Sequence, residues 1–291
     1  MTTATSAEPR SAVSFFGAHA GSPGAVVLFL VFATSGIVWI EPAPFDVLLL
    51  MVLAGALINR LHVPRTLAPL IIAFALLSVT GLLAAVLSDL VFDSARHILI
   101  SIFLYVIAFG LTLMIARAPD QVLPPMMNGV VLAGLIATCA GIVGYFSPGD
   151  WTHEIFTERD RARGTFKDPN VFGPFVVFGL AYLFARFMRD EDRVLSVPTA
   201  VAAVLGFGLL LSFSRGAWAN GAISLAIVAY LLFVSSRKTG TRLRIALMSW
   251  TLLGGAAAAL LFALQFDAIA EMMSIRGQLV QSYDVDQRFV G

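Results

Sequence analysis

The chain has 291 residues, of which 58% are hydrophobic and only 13% are charged, and its mean hydropathy is +0.87. These values lie outside the range of an ordinary soluble domain and indicate an integral membrane protein. The net charge of +1 gives no indication of nucleic-acid binding, because neither Lys167 nor Lys238 belongs to a basic tract.

The apolar residues fall into runs long enough to cross a hydrocarbon core of about 30 Å as helices, whereas β-barrel strands would show short alternating segments. The sequence therefore predicts an all-α fold, a polytopic membrane helical bundle with about nine transmembrane helices. The predicted spans are residues 24–40, 43–58, 66–88, 95–116, 126–146, 171–188, 197–213, 217–234 and 245–266. Together they form a transmembrane domain over 24–266, between a polar tail at 1–23 and a separate segment at 267–291.

The placement of arginine and lysine predicts how these helices are oriented. A cytoplasmic N-terminus puts most of the positive charges in inner loops and leaves only Arg96 and Arg215 in the short outer turns. This topology places the loop at 147–170, the turn around Arg215 and the segment at 267–291 on the outer face. Apolar residues recur near helical spacing in that last segment, so we expect an amphipathic stretch that begins a longer periplasmic region.

The outer loop contains the longest polar stretch of the chain, at residues 151–170, where arginines alternate with acidic residues. Arg161 and Arg163 stand close to Gly164, where the missing side chain would let the backbone approach a ligand. The planar fork of arginine suits phosphate oxygens, so we expect this part of the loop to bind an anionic headgroup. The alternative is a solvated charge run in which the arginines pair with neighbouring carboxylates.

The loop ends in Asp168, Pro169 and Asn170, directly before the sixth predicted span. Aspartate commonly caps a helix and proline is tolerated in the first turn, so we expect Asp168 to be a structural cap. The Asn170 carboxamide lies just inside the predicted hydrocarbon boundary and needs partners there. A sugar hydroxyl or the neighbouring backbone could supply them.

A second polar site, the sequence SFSRGAW at 212–218, separates the seventh and eighth predicted spans. The turn is short, so these two spans should form a hairpin around Arg215. The small residues Ser214 and Gly216 on either side leave its guanidinium open to a ligand. Alternatively, Arg215 extends to the lipid headgroups and Trp218 anchors the helix at the interface.

Few other residues indicate chemistry. His153, the histidine of the polar loop, is a candidate general base. However, no nearby residue in the sequence indicates a partner that would orient its ring. No metal-ligand spacing and no cofactor motif is present, so we expect neither a metal nor a cofactor. Ionisable residues are scarce within the spans, which argues against a proton-driven transporter. The single cysteine, Cys139, is expected to fill space in the core.

In their order and common predicted face, three groups of residues resemble the O-antigen ligase and O-antigen polymerase superfamily. These groups are Arg163-Gly164-Thr165-Phe166 with Pro169-Asn170, then Ser214-Arg215-Gly216-Ala217-Trp218, and finally Ser282-Tyr283-Asp284 with Arg288. The resemblance is clearest from about residue 125 onward. It implies a multi-pass glycosyltransferase of the bacterial inner (cytoplasmic) membrane that acts at the periplasmic face.

The resemblance also implies the partners and the site. The donor would be a glycan on an undecaprenyl diphosphate carrier, and the acceptor a lipid or another glycan. Catalytic contacts to the diphosphate would come from Arg215, Arg163 and Arg288, without a metal. Substrate-binding residues would be Arg161, Gly164, Lys167, Asn170, Ser214 and Gly216. Members of this superfamily continue into a long periplasmic loop with a functional histidine and further spans, which the present sequence does not include.

Two other classes of function fit the same hydropathy. One is an exporter of polysaccharide or lipid-linked glycan, which would need a polar path through the helix bundle. The other is a noncatalytic subunit of the cell envelope.

Overall fold

The computed structural model describes residues 22–39, 43–58, 64–189, 196–236, 239–240, 242–249 and 254. Most of them are helical, as the sequence predicts. Arg288, the other motif residues near it and the predicted amphipathic segment at 267–291 lie outside the described residues, as does most of the ninth predicted span.

The helices are α1 (Pro23–Ala33), α2 (Pro44–Ile58), α3 (Ala68–Val86), α4 (Val91–Arg117), α5 (Pro119–Tyr145), α6 (Trp151–Phe156), α7 (Pro169–Met188), α8 (Val197–Leu211) and α9 (Arg215–Ser235). A short 3₁₀ turn at Arg65–Leu67 precedes α3, and two short strands, β1 (Thr157–Glu158) and β2 (Arg161–Ala162), lie between α6 and α7. The chain divides into two compact units, and the boundary falls within α5 at residues 133–134.

The first unit is built from α1 to α4 and the first half of α5. Its core joins Leu28 and Phe32 of α1 to Leu49 and Leu53 of α2 and to Ile107 of α4. α3 packs along α4. Burial of these apolar side chains fixes how the helices of this unit pack.

The second unit contains the polar loop and α7, α8 and α9. α7 packs against both α8 and α9, and its Gly173 lies where a Cβ would be 2.5 Å from the Ala217 Cβ and 3.0 Å from the Ser212 Oγ. Residues 242–249 are also helical, and Ile245 among them packs against Phe184 and Met188 of α7. Glycine at 173 therefore lets the start of α7 approach the start of α9 closely.

Five helices are long and apolar enough to cross a membrane: Arg65–Val86, Val91–Arg117, Pro119–Tyr145, Pro169–Met188 and Arg215–Ser235. Shorter apolar helices cover Pro23–Ala33, Pro44–Gly55 and Val197–Leu211. Large apolar side chains such as Phe92, Val86 and Phe178 are exposed on the described helices, which suits contact with a hydrocarbon phase. Every predicted span before residue 245 overlaps a helix, while the full set of nine spans and the N-in orientation stay predictions.

The polar loop contains α6 and a small antiparallel hairpin. One expectation is wrong. Cys139 does not fill the core, because its side chain is exposed on the surface of α5.

Candidate functional site

The polar loop has a defined shape that begins with its hairpin. β1 and β2 pair Thr157 with Ala162 and Glu158 with Arg161, so only Arg159 and Asp160 form the turn. Both turn residues have positive φ, at 49° and 56°. Positive φ at both residues is typical of two-residue hairpin turns, whose twist matches the twist of the flanking strands. The turn fixes the register of the hairpin and therefore the direction in which each arginine points.

The loop then rests on α5 at Gly164. This residue has a φ of +56° and is buried, and a Cβ at this position would overlap the carbonyl oxygen of Ala137. Both the left-handed backbone and the lack of space require glycine. The sequence predicts that a ligand approaches the backbone at Gly164, but the close approach that the structure shows is to α5.

Arg161 is buried, with 7% of its surface exposed, although it carries a charge. Its Nε donates a hydrogen bond of 2.8 Å to the Ser212 carbonyl oxygen, and its Nη2 donates one of 2.8 Å to the Asn170 Oδ1. One guanidinium thus joins the hairpin, the start of α7 and the end of α8. We call these three residues and their two hydrogen bonds the Arg161 clasp.

The turn between α8 and α9 is held by its own serines. Ser212 caps the end of α8, and its Oγ donates to the Leu209 carbonyl oxygen at 2.7 Å and accepts from the Ser214 amide at 3.3 Å. Ser214 caps the start of α9, where its Oγ accepts from the Ala217 amide at 3.3 Å. Between them, buried Phe213 has a φ of +45°, an unusual backbone for a bulky residue.

These elements enclose a cavity of about 420 Å³. Its lining combines the clasp arginine and amide with the first residues of α9: Arg161, Asn170, Pro174, Phe213, Ser214, Arg215, Gly216 and Ala217. α7 and α9 both begin at this cavity. It therefore brings together four predicted substrate-binding residues, namely Arg161, Asn170, Ser214 and Gly216, with the predicted catalytic residue Arg215.

Arg215 is exposed at the cavity. Within the part of the chain that the structure describes, its guanidinium makes no hydrogen bond or ion pair. As the first residue of a 21-residue helix, Arg215 has an amide without an intrahelical acceptor, and so does Gly216. The helix dipole adds partial positive charge at the same point. The cavity mouth is therefore suited to an anionic group.

Trp218, which could alternatively anchor the helix at the interface, makes a structural hydrogen bond. Its Nε1 donates to the Leu209 carbonyl oxygen at 2.9 Å, and its ring lies 6.2 Å from that of Phe213. This bond ties the first turn of α9 back to α8.

Three predicted site residues, Arg163, Gly164 and Lys167, do not line this cavity. Arg163 donates to three backbone carbonyl oxygens, those of Ile155 at 3.1 Å, Lys167 at 3.3 Å and Glu154 at 3.2 Å. It therefore fastens α6 to the end of the loop, which differs from the alternative prediction that it pairs with carboxylates. Lys167 is exposed in the loop.

Asp168 is the cap that its position predicts. It precedes Pro169, the first residue of α7, and its carboxylate accepts a hydrogen bond of 2.6 Å from the Asn170 amide. The Asn170 side-chain oxygen accepts a hydrogen bond from the Arg161 guanidinium. The partners expected from the sequence are a sugar hydroxyl or the neighbouring backbone.

His153 has orienting partners that the sequence does not reveal. Its Nδ1 lies 3.0 Å from the Gly144 carbonyl oxygen, so this nitrogen carries a proton, and its Nε2 lies 3.5 Å from the Asp160 carboxylate. Neither His153 nor Asp160 lines the cavity. In the described ranges, no three or more histidine, cysteine, aspartate and glutamate side chains cluster where a metal ion could bind.

The fold and the site define a mostly helical protein with several helices that could span a membrane and an arginine-lined cavity where two of its helices begin. The chain matches no known family profile, no curated protein and no solved structure.

Proposed function

We propose that this chain is a multi-pass bacterial membrane glycosyltransferase of the O-antigen ligase or polymerase type. It transfers a glycan from an undecaprenyl diphosphate carrier to a lipid or glycan acceptor at the periplasmic face. The observation that carries the proposal is the cavity, in which the exposed Arg215 and the first amides of α9 stand beside the buried Arg161.

The chemistry of this lining supports an anionic ligand. Phosphate oxygens bind well at helix N-termini, where free amides and the helix dipole favour negative charge. Arginine adds a planar fork that can donate two hydrogen bonds to one phosphate. The volume of about 420 Å³ lies within the usual range for small-molecule sites, about 300–1,000 Å³.

In the proposed reaction, an acceptor hydroxyl oxygen attacks the anomeric carbon while the bond from that carbon to the phosphate oxygen breaks. The electron pair leaves with the carrier diphosphate, and Arg215 stabilises the charge that develops there. A base takes the proton of the hydroxyl. The described lining contains no carboxylate and no imidazole, so the proposal assigns diphosphate binding to this cavity and does not assign the proton transfer.

The experiment compares Arg215→Ala with the wild-type chain in lipid nanodiscs, using undecaprenyl diphosphate as the binding probe. Loss of a charge-assisted contact of about 1.5–3 kcal/mol should weaken binding about 10- to 150-fold. Arg159→Asn is the matched control, because it removes an exposed arginine from the hairpin turn and leaves the cavity lining intact.

Equal affinity of Arg215→Ala and the wild type would refute the proposed site. Glycan transfer with a carrier-linked donor then tests the reaction itself. If the wild type instead moves the carrier into liposomes without transferring sugar, the exporter class is correct.

A further inference from the structure

Arg161 lines the cavity, yet it donates two of its hydrogen bonds to acceptors of the protein itself. Nε is directed to the Ser212 carbonyl and Nη2 to the Asn170 carboxamide, both at 2.8 Å. These two acceptors belong to segments that are far apart in sequence, the α8–α9 turn and the start of α7. A planar guanidinium holds two such acceptors at a fixed angle, which a lysine ammonium cannot do.

The acceptor at Ser212 directly precedes the unusual backbone of Phe213 and lies three residues from Arg215. The hydroxyls of Ser212 and Ser214 are used within the turn, where they bond to the backbone at the two helix ends. The hydrogen bond from Arg161 to the Ser212 carbonyl connects the turn to the loop hairpin. A shift of this carbonyl moves the first residue of α9 with it, because the intervening residues form a tight turn with φ +45° at Phe213.

The other side of the turn is already fixed. Gly173 of α7 approaches Ala217 and Ser212 so closely that no side chain fits between them. The turn is thus held by α7 on one side and by the Arg161 clasp on the other. Release of the clasp removes the support that the loop hairpin gives to the turn before Arg215.

We propose that Arg161 is a positioning residue, which sets the orientation of Arg215 and of the first amides of α9 through the Ser212 carbonyl. This inference rests on the proposed function, because it assigns Arg161 a role in stabilising the leaving diphosphate without touching it. It revises the expectation that Arg161 binds substrate directly.

The first test does not depend on any activity. Hydrogen–deuterium exchange is measured for peptides that cover residues 212–217 in the full chain in nanodiscs. For Arg161→Gln we expect exchange at least about 10-fold faster than in the wild type, because the turn opens more easily without the clasp. Arg159→Asn, in which asparagine suits the left-handed backbone, should exchange at the wild-type rate. Unchanged exchange in Arg161→Gln overturns the proposal.

The second test separates positioning from direct contact. In glycan transfer we expect the kcat of Arg161→Gln to fall about 10- to 100-fold, with a KM for the carrier-linked donor within about threefold of wild type. Arg161→Lys should recover part of the rate, because it can still donate one hydrogen bond, and it serves as the second variant if Arg161→Gln folds poorly. A raised KM with unchanged kcat, or an unchanged rate despite faster exchange, overturns the positioning role.

The two proposals fail in different ways. If the wild type neither binds undecaprenyl diphosphate nor transfers glycan, the proposed function is rejected, and faster exchange in Arg161→Gln still supports the clasp as a support of the turn.

Discussion

The close approach at Gly173 gives the sharpest test of how the start of α9 is positioned. In Gly173→Ala, the new methyl group would lie 2.5 Å from the Ala217 Cβ and 3.0 Å from the Ser212 Oγ. Carbon atoms in contact prefer about 3.5–4.0 Å, so α9 must move away by about 1 Å or more. The substitution therefore acts on the turn that carries Arg215.

The magnitude follows from two opposing effects. Overpacking of this kind typically costs about 1–3 kcal/mol, while replacing a helical glycine with alanine stabilises the helix by about 1 kcal/mol. Gly206→Ala in α8 is the matched control, because no atom lies within 4 Å of the position that its new methyl group would take, and only the helix effect remains. Gly173→Ala should therefore be about 1–3 kcal/mol less stable than Gly206→Ala.

Thermal unfolding in detergent micelles, followed by far-ultraviolet circular dichroism, measures this difference. At about 2–4 °C per kcal/mol, the midpoint of Gly173→Ala should lie several degrees below that of Gly206→Ala. Binding of undecaprenyl diphosphate should weaken in Gly173→Ala alone. If both variants unfold at the same temperature and bind equally, the contact does not position α9 and the reasoning is refuted.

Two further predictions concern the cap of α7 and the topology. Asp168→Ala should destabilise the protein by about 1 kcal/mol, whereas Asp168→Asn keeps an oxygen acceptor for the Asn170 amide and should lose less; equal midpoints for the two variants in thermal unfolding would contradict the capping role. For the topology, a Cys139→Ser background carries either Asp150→Cys in the polar loop or Gly240→Cys after α9, both at exposed positions. An impermeant maleimide should label position 150 from outside intact cells and position 240 only after the membrane is opened, and the reverse pattern would show the opposite orientation.

The helices of this protein can be predicted because their long apolar runs form a clear pattern in the sequence. Long apolar runs such as the one that forms α4 can be satisfied in a membrane only as helices. The start of α7 can also be predicted from the sequence, since Asp168 and Pro169 follow local capping rules. Local chemistry and hydropathy are sufficient for these elements.

The hairpin cannot be predicted in the same way. Its turn residues Arg159 and Asp160 both adopt positive φ without the asparagine–glycine or aspartate–glycine pair that usually marks such turns. Without the hairpin register, nothing distinguishes Arg161 from Arg163. The structure gives them different environments, because one reaches Ser212 across 51 residues and the other bonds to the loop itself.

The cavity itself depends on contacts between distant segments. The presence of Arg215 in a short turn is visible in the sequence, and so are the small residues beside it. The packing of Pro174 and Phe213 into the same lining is not visible in the sequence, because it follows from how closely α7 and α9 approach at Gly173.

The Arg161 clasp also sets an order of events during biosynthesis. Its acceptor at Ser212 is made 51 residues after the arginine, which corresponds to about 3–10 s of translation at about 5–20 residues per second. During that interval the Ser212 carbonyl that Arg161 binds, and the α9 helix that packs against α7, have not yet been synthesised. The site is therefore completed only when α9 has been synthesised, so a ribosome that stalls before Ser212 leaves a nascent chain with Arg161 and Asn170 but without the residues of α9 that line the cavity.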